Sequence, residues 1–482
     1  MLGLYGLLLL SLVAGISAAP VTESPRETCR KVDLRLFIPL ALGVVLVTFF
    51  HEHLIEQAAL AQRPLPSWMA ALPAVPIMDL APLYGHVGVR TSMAVEIFSL
   101  LEAGLMTALV LVLRSRQAGL LVRITIGLCV AGLATIALNA HGILSQDIYA
   151  YMADGLLGRG AYHPDTARFG GQFHVLLRLW GSPPVPCAYG PAWLFPATLL
   201  MRGALSLGDG VVRFRIAGAA SVLAVAVALV RLRVSLPVLL TFLLNPMVWM
   251  QYVGDAHNDL WPVALILFGR SYAHRPLVAS ILGGLAGAAK LPFLVVCCLT
   301  GASRALLRER LGIALGSVSV ALAISAGAGG LPYFHALEAV RHMYPLPTDP
   351  QSIALRLMAL VGVSIAVLAA LGGRRASWAA AFSFIGFGYG IFPWYAAWGL
   401  AYATLADGAE IFLCALPITA FLTATTYAPT PLWLPLLFSV FLGACALSYV
   451  LIRTRFFAAP RRWGRAVTPG QPISDAACTR PT

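Results

Sequence analysis

Charge is what this sequence has least of. Of its 482 residues only 11% are Asp, Glu, Lys or Arg, against 59% hydrophobic, whereas a soluble domain is about one quarter charged. That shortage excludes an ordinary water-soluble domain and leaves a polytopic membrane protein. Lysine is scarcer still, since the 33 basic residues include only Lys31 and Lys290. A formal charge of +13 would point to nucleic acid on a soluble chain. Here the arginines cluster in short loops between apolar runs, where they set orientation in the bilayer, so no nucleic-acid partner is expected. The eight cysteines show no paired or metal-type spacing. Cys129, Cys297, Cys298, Cys414 and Cys445 lie in apolar runs and read as small core residues. Neither a disulfide framework nor a zinc site is indicated.

What is present in quantity is apolar sequence. Runs long enough to span, about 17–25 residues, occur near 34–50, 93–113, 120–140, 189–206, 211–230, 311–330, 353–371, 409–428 and 431–452. With the less regular stretches between them, they predict an all-α integral membrane protein of about 12–14 transmembrane helices. The expected organisation is N-terminal transmembrane helices over 1–140, an extracytoplasmic loop over 141–188, a transmembrane core over 189–452 and a basic cytoplasmic tail over 453–482. Residues 1–19 have the small-residue ending of a secretory signal, Ser17-Ala18-Ala19, but no positive start, and Pro20 follows; cleavage is not expected. Arg26, Arg30, Lys31 and Arg35, then Arg114, Arg116 and Arg123, belong inside by the positive-inside rule. Three crossings from the first cluster place the loop after Asn139 outside.

That loop holds the first gathering of carboxylates beside a long span. If Asp147 opens a helix, as an acidic residue favourably does, then Asp147, Tyr151 and Asp154 fall on one face. The opposite stripe, Ile148, Met152 and Leu156, is expected on the bilayer surface. A second amphipathic turn follows, with Phe173, Leu176, Leu177 and Trp180 at helical spacing and His174 and Arg178 off that stripe. Tyr189-Gly190-Pro191 then forms a rigid lead into the next helix.

Further on, Asn245-Pro246 precedes His257-Asn258-Asp259, three polar residues wedged between apolar stretches. Ionisable groups at membrane depth mark functional sites by default, although a helix-capping turn accounts for Asn and Asp as well. Asp147 and Asp259 share one side only if a segment between 189 and 254 fails to cross. A break at Asn245-Pro246 is expected, which leaves Arg231 and Arg233 on the outer side. Lys290, in Ala289-Lys290-Leu291-Pro292, either sits centrally in one span over 277–300 or occupies a turn at the outer surface. The arginines before and after it, Arg270, Arg275, Arg304, Arg308 and Arg310, favour the turn. Pro393-Trp394-Tyr395 interrupts a later apolar run on the outer side, where the aromatics either stack on a sugar or belong to the interfacial belt. His51 and His53 carry little weight as a metal pair.

Five motifs in order, the loop from Asp147 to Tyr151, Tyr189-Gly190-Pro191, Asn245-Pro246 with His257-Asn258-Asp259, Ala289-Lys290-Leu291-Pro292 and Pro393-Trp394-Tyr395, resemble the polyprenol-phosphate-mannose-dependent alpha-1,6-mannosyltransferases. These belong to the GT-C class of membrane glycosyltransferases. The similarity covers roughly residues 120–400. One departure stands out: Gly160-Ala161-Tyr162-His163-Pro164 replaces an Asn-Pro-Tyr type sequence. The resemblance implies a GT-C-type multi-helix fold with an extracytoplasmic catalytic loop and a donor sugar carried on polyprenyl phosphate. It makes Asp147 the candidate base, and His257, Asn258, Asp259 and Lys290, with Arg178, the candidate donor pocket. Tyr151, Asp154, Tyr189, Trp394 and Tyr395 are the expected sugar or acceptor contacts. The acceptor is a glycan or glycolipid, the location the plasma membrane, and no metal or cofactor is expected. The alternative is a multi-helix transporter or lipid-linked sugar flippase, which shares long helices and buried charges; the absence of an internal repeat speaks for the transferase.

Overall fold

The computed structural model describes residues 32–62, 78–79, 89–113, 119–140, 142–143, 147–165, 169, 173–174, 176–177, 185–302, 306–343, 396–404, 413 and 416–417. The chain divides into residues 1–429 and 430–482, and all described residues fall in the first unit. Arg178, Trp180, Trp394 and Tyr395 lie outside them, as do the runs near 353–371 and 431–452 and all of that near 409–428 but residues 413 and 416–417.

The architecture is helical. Three long helices open it: α1 (Leu34–Gln62), α2 (Val89–Leu113) and α3 (Leu120–Asn139). A two-residue parallel pairing of β1 (Met78–Asp79) with β2 (Gly142–Ile143) leads from α3 toward α4 (Asp147–Leu157), which ends in a 3-10 turn, Gly158–Tyr162. Then come α5 (Pro191–Met201), α6 (Leu207–Arg231), α7 (Leu236–Leu243), and α8 (Pro246–Trp249), which runs into a π-helical turn, Met250–Gly254. They are followed by α9 (Leu260–Ser271), α10 (Pro276–Gly287), α11 (Phe293–Val296) with a 3-10 extension to Gly301, α12 (Leu307–Ile324), α13 (Gly330–Met343) and α14 (Ala396–Ala403).

Among the described residues, four helices are long and apolar enough to cross a membrane: Leu34–Leu54, Leu120–Asn139, Leu207–Arg231 and Leu307–His342. A fifth span forms if α7 and Pro246–Gly254, bent by 55°, count as one. Leucines and phenylalanines such as Leu46, Phe50, Leu121 and Leu128 stand exposed on the outside, the pattern of helices whose surroundings are as apolar as their core.

The expected span over 189–206 is corrected. Its helix, α5, has 11 residues and reaches about 16 Å at 1.5 Å per residue, roughly half of a hydrocarbon core of about 30 Å. Arg202 and Gly203 turn the chain straight into α6. The segment too short to cross is therefore α5, and the kink at Asn245-Pro246 lies between the two halves of the bent pair α7 and Pro246–Gly254. Asn245 is the N-cap there, accepting from Met247 N, and its amide donates to Leu413 O at 2.7 Å. This arrangement removes the misplaced arginines. The end of α3 meets the first half of α6 through Arg215, which holds Leu138 O and Ala140 O, so Arg231 at the far end of α6 lies level with Arg123 at the start of α3. Arg231 also stacks over Tyr272, just past the end of α9, at 4.5 Å.

Lys290 takes the second of its two expected placements. The helix α10 stops at Gly287, residues 288–292 turn, and α11 runs back, so no single span carries a central lysine. Glycines allow the tight packing behind this turn. A Cβ on Gly283 would collide with Ser317 Oγ, and one on Gly287 would sit 2.9 Å from Ala321 Cβ; α10 and α12 thus run in parallel at close range. Away from this region, His51 Nδ1 on α1 lies 3.0 Å from Glu102 Oε1 on α2, both buried. The histidine makes a helix-to-helix contact.

Candidate functional site

Asp147 is the first residue of α4, as its position before an apolar run predicts, and its carboxylate complements the helix N-terminus. One turn on, the Tyr151 hydroxyl lies 3.4 Å from Asp147 Oδ2. The opposite stripe does not rest on a bilayer surface. Ile148 and Met152 are fully buried, because the short α5 packs against α4 so closely that a Cβ on Gly155 would sit 2.5 Å from Ala197 O. Leu176 is buried, and Phe173 and Leu177 pack partly buried against the same cluster.

From across the bundle come His257 and Asn258. The π-helical turn ends at Gly254, and Ala256 adopts a left-handed φ of 55°. That conformation is costly for a non-glycine residue and typical of functional turns. It brings His257 Nδ1 to 3.5 Å from Asp147 Oδ2. Tyr151 is the hub: its hydroxyl is 3.5 Å from both His257 Nδ1 and Asn258 Oδ1, and Tyr189 donates to it at 3.4 Å. Burial, reinforced by Lys290, holds His257 well below the ordinary imidazole range, so it meets Asp147 as a neutral hydrogen-bonding group. Desolvation, then the neighbouring Tyr189 and the charge of Asp147, drive the Tyr151 phenol well above its ordinary range; it stays protonated. Asp147 itself keeps 36% of its side chain exposed, and so is the accessible member of the group.

The second half of the site is built on Lys290. Its ammonium is 2.7 Å from Asp259 Oδ1, which also accepts from Trp398 Nε1 at 2.5 Å. Lys290 lies 5.3 Å from the ring centroids of both Tyr189 and Trp398, and its side chain is 14% exposed. The expected surface ammonium is therefore largely enclosed and paired. Asp259 is fully buried; where it stands it orients Lys290 rather than facing a sugar. Tyr189 joins the two halves, touching Tyr151 on one side and Lys290 on the other.

The strap that carries Tyr189 is fixed by backbone bonds to both neighbours. Cys187 N donates to Ala161 O at 2.9 Å, and Gly190 N to Ala289 O at 2.9 Å. A side chain at 190 would collide with Ala288 O, so only glycine allows this approach. Asp154, on the same face of α4 as Asp147, is 1% exposed and bonded to Cys187. Its Oδ1 has no hydrogen-bond partner among the described residues. Burial pushes its carboxyl up to about 7.

Three contributors escaped the sequence reading. Arg215, fully buried, donates to Leu138 O, Ala140 O and Gly254 O at 2.6–3.0 Å. It thereby ties the segment leading to Asp147 to the turn carrying His257. A charged residue two turns into an apolar run was the available signal. Trp398 and Trp193 looked like two of many aromatics. Among the described residues no group of three or more His, Cys, Asp or Glu is placed to hold a metal ion.

Fold and site together define a helical, membrane-capable protein with a carboxylate, a neutral imidazole and a paired ammonium gathered at one end of its bundle. Residues 137–305 match the family model described as the alpha-(1->6)-mannopyranosyltransferase N-terminal domain, the family that the five motifs resemble. The matched stretch contains Asp147, Tyr151, Asp154, Tyr189, His257, Asn258, Asp259 and Lys290. Neither the comparison with curated proteins nor that with solved structures gives a match. The family match supports a glycosyltransferase that moves a mannosyl group.

Proposed function

We propose that this chain transfers mannose from a polyprenyl-phosphate donor to a glycan or glycolipid acceptor at the extracytoplasmic face of the plasma membrane, with inversion at the anomeric carbon. The observation that carries the reading is the exposed Asp147 carboxylate, held by Tyr151 and His257, within one residue's reach of the Lys290 pair.

A sugar phosphate ester already has a good leaving group, so the protein must supply a base and a cationic partner for the phosphate. Asp147 takes the proton of the acceptor hydroxyl as its oxygen bonds to the anomeric carbon. The carbon–oxygen bond to phosphate breaks, and the carrier leaves as polyprenyl phosphate. Lys290, oriented by Asp259 and Trp398, donates to the departing phosphate, with Arg178 as its expected helper. Neutral His257 and protonated Tyr151 orient Asp147, and Asn258 orients Tyr151. Tyr189 flanks the sugar, Trp394 and Tyr395 are the expected stacking surfaces, and buried Asp154 supports the strap at Cys187.

The test is transfer of radiolabelled mannose from polyprenyl phosphate to an added mannan fragment by purified protein in detergent. The Asp147→Asn variant should fold normally and lose about 10²- to 10⁴-fold in rate, the usual worth of a positioned base. Transfer at the wild-type rate by this variant removes Asp147 from the role. Movement of intact lipid-linked sugar across vesicles without transfer would favour a flippase.

A further inference from the structure

A cavity of about 340 Å³ lies between α5, α6 and the start of α9, at the lower end of the volumes that hold ligands, about 300–1,000 Å³. Its walls are mostly apolar, with Leu199, Phe214, Ala217, Ala220 and Trp261 among them. At one end it reaches His257 and Asn258, the residues that contact Asp147 and Tyr151. Along α6 the lining continues from Phe214 to Ser221, about 10 Å at 1.5 Å per residue, and so leads away from the polar cluster. One flank is open: Leu199 is 51% exposed and Trp261 36%.

We infer that this groove holds the first isoprenoid units of the donor's lipid chain, and that the small residues Ala217 and Ala220 on the floor of α6 set which chains fit. The inference rests on the function proposed above. Two observations choose the occupant. An open apolar flank beside α6, a membrane-capable helix, admits a chain from the bilayer, whereas a soluble ligand would meet it across lipid. The polar end is shared with the cluster around Asp147, so a chain lying here has its head group at the reacting centre.

Two donors test this, both mannosyl phosphates, one carrying a full-length polyprenyl chain and one a short, water-soluble geranyl chain. Ala217→Phe fills the groove without touching the polar cluster. It should raise KM for the long-chain donor roughly tenfold or more, the worth of about two buried methylenes, and leave kcat and the short-chain KM unchanged. An unchanged long-chain KM, or an equal shift with both donors, overturns the groove. A readout independent of turnover and of the variant's folding is photolabelling of wild-type protein with polyprenyl phosphate bearing a diazirine on its first isoprene unit. Label on the α5 and α6 peptides, displaced by unlabelled polyprenyl phosphate but not by phosphatidylglycerol, is expected. Label elsewhere, or displacement by phosphatidylglycerol alone, overturns the inference. If wild-type protein transfers from neither donor yet is labelled at α5 and α6, the groove stands as a polyprenyl-phosphate site and the proposed reaction falls.

Discussion

At the scale of single residues, the site works by making each charged group depend on another. Lys290 and Asp259 show this most directly. Removing one member of a buried pair leaves the other uncompensated, at a cost of about 3–5 kcal/mol, whereas replacing both with apolar residues is often neutral. Lys290→Ala alone should therefore lower thermal stability as well as donor use. The double variant Lys290→Met with Asp259→Leu should recover the melting temperature but keep the raised KM for donor. Normal donor use by the stable double variant would show that Lys290 does not meet the phosphate. Asp154 makes a prediction of opposite character. The unfolded chain releases this proton near 3.8 while the folded one keeps it to about 7. The folded state thus binds more protons in that window, and stability falls as pH rises through it. Unfolding followed against pH in detergent should show this slope in wild type and a flatter one in Asp154→Asn.

Among the secondary-structure elements, the strap from 185 to 190 and the short helix α5 matter more than the long spans. The strap places Tyr189 between Tyr151 and Lys290 because Gly190 lets it approach the turn at Ala288. Gly190→Ala forces that contact apart. A displacement of about 1 Å at a reacting site typically costs about 10²-fold, so activity should drop by that order, with a lower melting temperature from the same overpacking. Purified variant with wild-type kcat would show that the strap does not position the site. Arg215 works at this scale too. Its guanidinium gathers the carbonyl ends of α3 and of the π-helical turn, where helix dipoles favour a cation. No pairing rule along the chain foretells which ends it will join.

For the molecule as a whole, the fold sets the polar cluster at one end of the bundle and one group of helix-terminal arginines at the other. Arg123, Arg231 and Arg275 sit at the termini of α3, α6 and α10 that face away from Asp147. The proposed function puts that end in the cytoplasm, the side that the positive-inside rule favours for arginine. Single cysteines at Asp165 and Arg275, both exposed positions, should therefore react with an impermeant maleimide from opposite sides, Asp165→Cys in intact cells and Arg275→Cys only after permeabilisation. The reverse pattern would place the site in the cytosol and exclude the proposed acceptor side.

Much of this was legible in the chain. The helices at 34–54, 120–139 and 207–231 follow from run length alone, because a bilayer tolerates no unsatisfied backbone, and the start of α4 at Asp147 follows from helix electrostatics. The carboxylates, His257 and Lys290 stood out because charge is so rare around them. Tertiary structure decided what periodicity leaves open. It showed that α5 is too short to cross, which puts Asp147 and His257 at the same end, and that Lys290 is neutralised by Asp259 instead of standing free. It also buried Ile148 and Met152 in protein instead of lipid. Hydrophobicity has the same value against a neighbouring helix as against an acyl chain, so composition alone identifies a membrane protein but cannot say which apolar face meets which neighbour. That choice depends on where glycines and a buried arginine let backbones come together.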